Sequence, residues 1–331
     1  MTAIIVVPGQ LNPSDLQGYL GALQIKRSGT IRIVNVGPSP IPYDNGEVTA
    51  DVETIAGLSP GANILVYRIQ SLVDRVVLDA YNYAVAKHEG SVVNSSFANC
   101  ETLSDAFDRG VEQSAVNGSA IGMTFVAGSG DWGPECPDTQ LSNGNFIRGV
   151  NVPAAAPHVS AVGGTEAQPE PVSNEVWNIC ASHLSTYCTA GGGVSHVWKI
   201  PSYQKGVAGS PASRTRRNVP DISFPAFNAF GYYEGRYGYV WGTSMSSPMF
   251  VALLVQAEEA CKTKFGAVNA TTYAVVADHA KGAMMVDVTS GNNTYSSAIP
   301  GYNAKPGYDD ASGLGSPKGF DYAAALCGKS P

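Results

Sequence analysis

Charge is scarce in this chain. Of its 331 residues, 14% are Asp, Glu, Lys or Arg, well under the ~25% usual in globular domains. The formal net charge is −7 and the isoelectric point about 5.2, which excludes the basic surface a nucleic-acid partner needs. So few charges suit a protein working in acid, where many carboxylates gain protons. No apolar run approaches the ~20 residues of a membrane span, so no membrane partner is expected. Met1 opens no recognisable leader, because Thr2 to Val7 is short and runs straight into Pro8-Gly9. Repeats, low-complexity tracts and linkers are absent. None of the six cysteines forms a C-x-x-C, which excludes the usual zinc and thioredoxin-type patterns, while their even number fits an oxidising, extracellular setting.

Glycine (37) and proline (21) are plentiful, so turns are many. Between them, short apolar strands alternate with helices. Strands are expected at Ala3–Val7, Ile31–Val36, Ala62–Tyr67, Ser91–Ser95, Gly122–Ala127 and Val159–Val162, the last ended by Gly163-Gly164. Helices are expected at Pro13–Leu23, Glu47–Leu58, Leu72–His88, Leu103–Val116, Ser244–Cys261, Ala270–His279 and Phe320–Leu326. Loops are expected at 38–45 and 132–150, with a loop-rich stretch of short strands over 165–240. The alternation specifies an α/β fold, a mostly parallel sheet with helices on both faces. Sites in such sheets lie at the carboxyl ends of the strands. One domain over residues 1–331 is expected. Sequons occur at Asn94, Asn117, Asn269 and Asn292, with Asn94 in a buried strand end.

Three places carry chemistry. Gly242-Thr243-Ser244-Met245-Ser246-Ser247-Pro248 follows an aromatic approach and precedes an apolar helix. Ser244 therefore stands at a helix N-terminus, where unpaired N–H groups favour developing negative charge. Ser and Thr are also the commonest caps, so this stretch alone does not make a nucleophile. Glu47 and Asp51 stand at i and i+4 of a helix and share a face. Val48, Val52 and Ile55 make that helix apolar, so the pair is expected to be partly buried and to share a proton. Asp131 follows a central strand in Gly128-Ser129-Gly130-Asp131-Trp132-Gly133. There it is either a turn aspartate or a protonated carboxyl donating to an oxyanion.

Together these residues resemble the sedolisin family of serine-carboxyl peptidases, relatives of subtilisin with a Ser-Glu-Asp triad. Further similarity lies in Val152–Pro157, Gly191–Ser195, Val286–Asn293 and Gly307–Pro317. The resemblance implies a subtilisin-like, doubly wound fold and an acid-acting peptidase on peptide or protein substrates, either an endopeptidase or a tripeptidyl peptidase. It implies Ser244 as nucleophile, Glu47 as general base and acid, Asp51 as the group orienting Glu47, and Asp131 in the oxyanion hole. Gly128, Ser129, Gly191, Gly192 and Gly193 become candidates for backbone contact with substrate. One structural calcium ion is implied in a segment at about 287–317, held by the carboxylates of Asp287 and Asp309 and the carbonyls of Val288, Lys305 and Gly307. Oxygen-only donors suit calcium. A pro-segment, separate or removed, is also implied, and the protein is expected to be a monomer.

This chain departs from the family pattern in places. Val6 stands where members often carry Glu, Phe97 where they often carry Trp, and Lys305 and Met245 replace small residues. Two rivals remain. A subtilisin-type Ser-His-Asp enzyme needs a histidine opening a helix after a strand, and none of His88, His158, His183, His196 and His279 stands so. An inactive scaffold on the same fold would be expected to have lost some of the four chemical residues. For the disulfides, Cys180 and Cys188 flank a short polar loop, and Cys100 and Cys136 follow strand ends at one edge. Cys261 is then left to Cys327.

Overall fold

The apolar run near the N-terminus is strand β1 (Thr2–Pro8), and its alternation serves two cores. Ala3, Ile5 and Val7 face one, Ile4 and Val6 the other. The computed structural model describes residues 1–37, 46–101, 105–137, 146–168, 173–182, 185–278 and 281–328. The loop expected at 38–45, the Leu103 helix start, His183 and His279 lie outside them.

Along the chain β1 is followed by α1 (Pro13–Ala22), β2 (Ile31–Asn35), α2 (Glu47–Leu58), β3 (Asn63–Ile69), α3 (Asp74–Lys87), β4 (Val92–Ser95), α4 (Asp105–Ala120) and β5 (Thr124–Gly128). Then come β6 (Val159–Gln168), β7 (Ser173–Val176), β8 (Ile222–Pro225), the hairpin β9 (Ala229–Tyr233) and β10 (Arg236–Val240), and the helices α5 (Thr243–Cys261), α6 (Asn269–Asp278) and α7 (Gly319–Leu326). The main sheet has eight strands, ordered β7-β6-β5-β4-β1-β3-β2 with β8 also on β6. Every pairing in it is parallel except β6 with β7. Val48, Val52 and Ile55 of α2, Leu16 of α1, Phe250 and Leu254 of α5 and Tyr322 of α7 cover one face. Val77 and Tyr81 of α3 with Phe107 and Val111 of α4 cover the other. This is the doubly wound α/β arrangement expected from the alternation.

Helix starts follow their sequence cues. Asn12 Oδ1 accepts from the N–H groups of Ser14 (3.1 Å) and Asp15 (3.3 Å), with Pro13 in the first turn. Two expectations need correction. The strand from Val159 does not end at Gly163-Gly164 but runs on to Gln168. The glycines admit a close neighbour there: a Cβ on Gly163 would lie 2.6 Å from Ser223 Oγ of β8. Nor is 132–150 all loop, since Glu135–Pro137 pairs antiparallel with Phe146–Arg148. The disulfides are Cys100–Cys136, Cys180–Cys188 and Cys261–Cys327, as expected. Among the described residues no helix is long and apolar enough to cross a membrane. Asn94 and Asn269 are buried.

Candidate active site

The carboxyl ends of β1, β4 and β5 open on a cleft of about 620 Å³ whose lining includes Glu47, Ser96, Asp131 and Ser244. Each comes from a different element. Glu47 opens α2, Ser96 follows β4, Asp131 follows β5 and Ser244 is the second residue of α5. Asp51 lies one turn behind Glu47 and is fully buried.

The approach to Ser244 depends on glycine. Gly242 has φ +126°, and a Cβ on it would lie 3.0 Å from Asp131 Oδ2. Only a residue without a side chain takes this backbone next to that carboxyl. Asp131 Oδ1 accepts from the Thr243 N–H at 2.7 Å and from Thr243 Oγ1 at 2.9 Å. Asp131 thus holds the first turn of α5 with Oδ1, while Oδ2 lies beside Gly242.

Behind Ser244 runs a polar chain. Asn94 Nδ2 donates to Ser96 Oγ at 2.9 Å, and Ser96 Oγ donates to Asp51 Oδ1 at 2.7 Å. Ser96 Oγ also lies 3.2 Å from the Ser244 carbonyl. The reason is Pro248: four residues on, it has no N–H to offer that carbonyl. Asp51 Oδ2 is buried, and no described residue donates to it. Val6, buried on β1, and Phe97, on the cleft wall, offer no polar atoms where the family pattern would.

Burial raises all three acids above their ordinary range. Glu47 is pushed up to about 7 by burial and by the charge of Asp131, against the pull of a hydrogen bond with the Ser244 side chain. Asp51 is raised by burial and by Glu47, against the hydrogen bond from Ser96 and the pull of the neighbouring Asn94 amide. Asp131 is raised by burial, against its bonds from Thr243. Three neighbouring buried carboxyls retain protons that isolated ones lose. A hydroxyl beside a carboxyl base, with a second protonated carboxyl at the same helix start, can perform acyl transfer.

Of the candidate substrate contacts, Gly128 lines the cleft. A Cβ there would meet Thr243 Oγ1 at 2.9 Å, which explains the glycine. Ser129 and Gly191 to Gly193 are buried behind the Asp131 loop and do not line the cleft. Ser129 Oγ donates to the Gly191 carbonyl at 2.7 Å, and the Gly191 N–H donates to the Gly130 carbonyl at 2.6 Å. Their glycines serve close packing: a Cβ on Gly191 would lie 2.3 Å from the Ser129 carbonyl oxygen. Cleft residues that sequence reasoning missed are Ser96, Trp132, Tyr187, Glu53 and the hairpin tyrosines Tyr232 and Tyr233. Polar residues closing an otherwise apolar strand (Asn94-Ser95-Ser96) were the available signal for Ser96.

The calcium candidates meet at one turn. The Lys305 N–H donates to Asp309 Oδ2 at 2.8 Å and the Gly307 N–H to Asp287 Oδ2 at 2.9 Å, so both carboxylates converge on residues 305–307. Asp309 Oδ1 is occupied by Ala311, Ser312 N–H and Ser312 Oγ. Among the described residues no group of three or more His, Cys, Asp or Glu could hold a metal. Two carboxylates beside one turn are oxygen donors, the kind a calcium ion takes.

The sheet, the cleft at its carboxyl edge and the Gly-Thr-Ser helix start define a subtilase. A sequence model of the subtilase family matches residues 36–306, and the chain belongs to that family. It is 30% identical to kumamolisin of Bacillus sp. (strain MN-32), over 98% of this chain and 59% of that protein. It is 34% identical to sedolisin of Pseudomonas sp. (strain 101), over 91% of this chain and 53% of that protein. The solved structure of Pseudomonas sedolisin, a serine-carboxyl proteinase complexed with two molecules of pseudo-iodotyrostatin, superposes with a TM-score of 0.85 at 29% identity, covering 98% of this chain and 92% of that one. Within the subtilases the chain is a member of the sedolisin family. It spans somewhat over half the length of these curated relatives.

Proposed function

We propose that the protein is a serine-carboxyl peptidase that hydrolyses peptide bonds through an acyl-enzyme on Ser244. The observation that carries this reading is the convergence of Ser244, Glu47 and Asp131 on one cleft with Asp51 buried one turn behind Glu47, all three acids raised by burial. Ionised Glu47 takes the Ser244 proton as Oγ attacks the substrate carbonyl. The oxyanion receives hydrogen bonds from the Ser244 N–H, which has no acceptor in the first helical turn, and from the proton of Asp131. As the C–N bond breaks, Glu47 returns its proton to the leaving amine. Water then attacks the acyl-enzyme, losing its proton to Glu47, and Ser244 is regenerated. Asp51 orients Glu47.

The working form has Glu47 ionised and Asp131 protonated. The charge of Asp131 is one of the two causes that lift Glu47. With Asp131 neutral that contribution vanishes and Glu47 ionises at lower pH; the mechanism requires Asp131, raised by burial, to hold its proton through that range. Rate therefore rises as Glu47 ionises and falls as Asp131 does, a bell on the acid side. Calcium, held by Asp287, Asp309 and the carbonyls of Val288, Lys305 and Gly307, would pin the turn-rich segment against the fold and take no part in the chemistry. Peptides or proteins in an acidic, oxidising extracellular setting are the substrate class, and the disulfides fit that setting.

The test is hydrolysis of a peptide from strongly acid to mildly alkaline pH, with a peptide aldehyde as a trap for Ser244. We expect an acid bell, aldehyde inhibition lost in Ser244→Ala, and at least about 100-fold loss in Glu47→Gln. A neutral plateau with Glu47→Gln at full rate would remove the assignment.

A further inference from the structure

The hairpin that leads into Ser244 is tied to the helices that carry the carboxyl pair. Asp15 of α1 and Glu53 of α2 are each 2% exposed. Glu53 Oε2 accepts from the Tyr232 N–H at 3.0 Å, and Asp15 accepts from the N–H groups of Glu234 (2.8 Å) and Gly235 (2.9 Å). Buried carboxylates thus hold the backbone of the hairpin turn. The Tyr232 ring lies where a side chain on Gly18 would stand, 2.4 Å from that Cβ position. The Tyr233 ring covers Gly46, 3.3 Å from the corresponding position, immediately before Glu47.

Both tyrosines line the cleft, and so do Ala50 and Glu53, the residues one and two turns along α2 from Glu47. This end of the cleft therefore has Ala50 and Glu53 on its helix side and an aromatic wall on its hairpin side, with Gly46 letting the Tyr233 ring pack close beside Glu47. Tyr233 is 38% exposed at the cleft surface. The cleft is also walled by Phe97 and Ala98, which follow β4, and by Gly128 and Gly130, at and just past the end of β5.

The chemistry decides which part of a substrate meets which end. Glu47 must hand its proton to the leaving amine, so the residues after the scissile bond pass on the Glu47 side of Ser244. That side leads to Ala50 and the hairpin. We propose that Tyr233, with Tyr232, forms the subsite for the residue immediately after the scissile bond and takes a large apolar side chain there. In this arrangement Asp15 and Glu53 are positioning residues that hold the wall through the hairpin backbone. This rests on the catalytic reading above for its direction along the substrate.

The experiment separates binding from chemistry. Two peptides, identical except for one central Phe or Gly, are titrated onto the Ser244→Ala protein at acid pH. The Phe peptide should bind about tenfold tighter, the discrimination an apolar pocket gives between side chains of such different size. The preference should disappear in Tyr233→Ala on the same background, persist in Tyr233→Phe, and weaken in Glu53→Ala but not in Glu53→Gln, which keeps an acceptor for the Tyr232 N–H. In parallel, the protein with Ser244 intact digests a mixed peptide library, and aromatic residues should be enriched immediately after the cuts. Equal binding of the two peptides, or a preference that Tyr233→Ala leaves intact, overturns the subsite. Cutting through Ser244 without that enrichment overturns it as well and leaves the catalytic reading standing. A Tyr233-dependent binding preference with no cutting keeps the pocket and removes the catalytic reading.

Discussion

Asp108 offers a test of the fold that is independent of catalysis. It lies on α4, on the face of the sheet opposite α5, and is 1% exposed. Neither of its carboxylate oxygens has a hydrogen-bond partner among the described residues. Burial, then Glu101, Asp105 and Asp74, push its carboxyl from 3.8 up to about 8, with Arg109 pulling the other way. The folded protein therefore binds a proton that the unfolded chain releases. Below pH ~4 both states are protonated and the group costs nothing; stability then falls as pH rises, until the folded group also ionises near pH ~8. A shift of roughly four units corresponds to about 6 kcal/mol. Solvent reaching in past the exposed Asp105 and Arg109 screens the charge, and about 3 kcal/mol is the expected loss. Asp108→Asn removes the titration. Urea unfolding at pH 4, 6 and 8 should show wild type and variant within about 1 kcal/mol at pH 4 and the variant ahead by about 3 kcal/mol at pH 8. Parallel curves for the two proteins across this range would refute the reasoning.

Two further perturbations have definite expected outcomes. Arg217 and Asp221 form a buried bidentate pair at 2.7 Å in both contacts; Arg217→Met leaves that carboxylate without its cation and should cost about 3–5 kcal/mol in a denaturant melt, and a loss under about 1 kcal/mol would contradict it. If calcium occupies the 287–309 turn, chelation should lower the melting temperature, and Asp287→Ala or Asp309→Ala should abolish the response; a melting curve indifferent to calcium in the unaltered protein would dismiss the ion.

Much of this was readable in the residues because the sheet is buried on both faces. Apolar strands and amphipathic helices then alternate plainly, and Glu47–Leu58 begins and ends as expected. Ser244, Glu47 and Asp131 stood out as candidates for a related reason: each sits at a strand end or helix start, where a polar residue in an apolar context is conspicuous, and Asp51 followed from its i+4 spacing to Glu47. What stayed hidden depended on contacts between distant segments. The run of β6 through Gly163 and Gly164 is allowed by β8, about sixty residues on. The run Gly191 to Gly193 is crowded from three directions that no local pattern announces: Ser129 and Gly130 press on Gly191, Asp310 and Val219 on Gly192, and the Tyr302 ring on Gly193. The hairpin wall was invisible because Asp15 and Glu53 reach it from about 180 to 220 positions away.

Pro248 has a consequence for how the nucleophile experiences its neighbours. Ser96 has a single hydroxyl proton and three acceptors in reach, Asp51 Oδ1 at 2.7 Å and, both at 3.2 Å, the Ser244 carbonyl and Ser247 Oγ, which has a proton of its own to donate. While Asp51 is anionic the proton points to it. Once Asp51 carries its own proton it becomes a donor to Ser96, and the Ser96 hydroxyl turns to the carbonyl that Pro248 left open. The amide bond of Ser244 would then report the protonation of a residue it does not touch. An isotope-labelled carbonyl at position 244 would shift its stretching frequency with the titration of Asp51, and Pro248→Ala, by supplying an N–H of its own, would silence that signal.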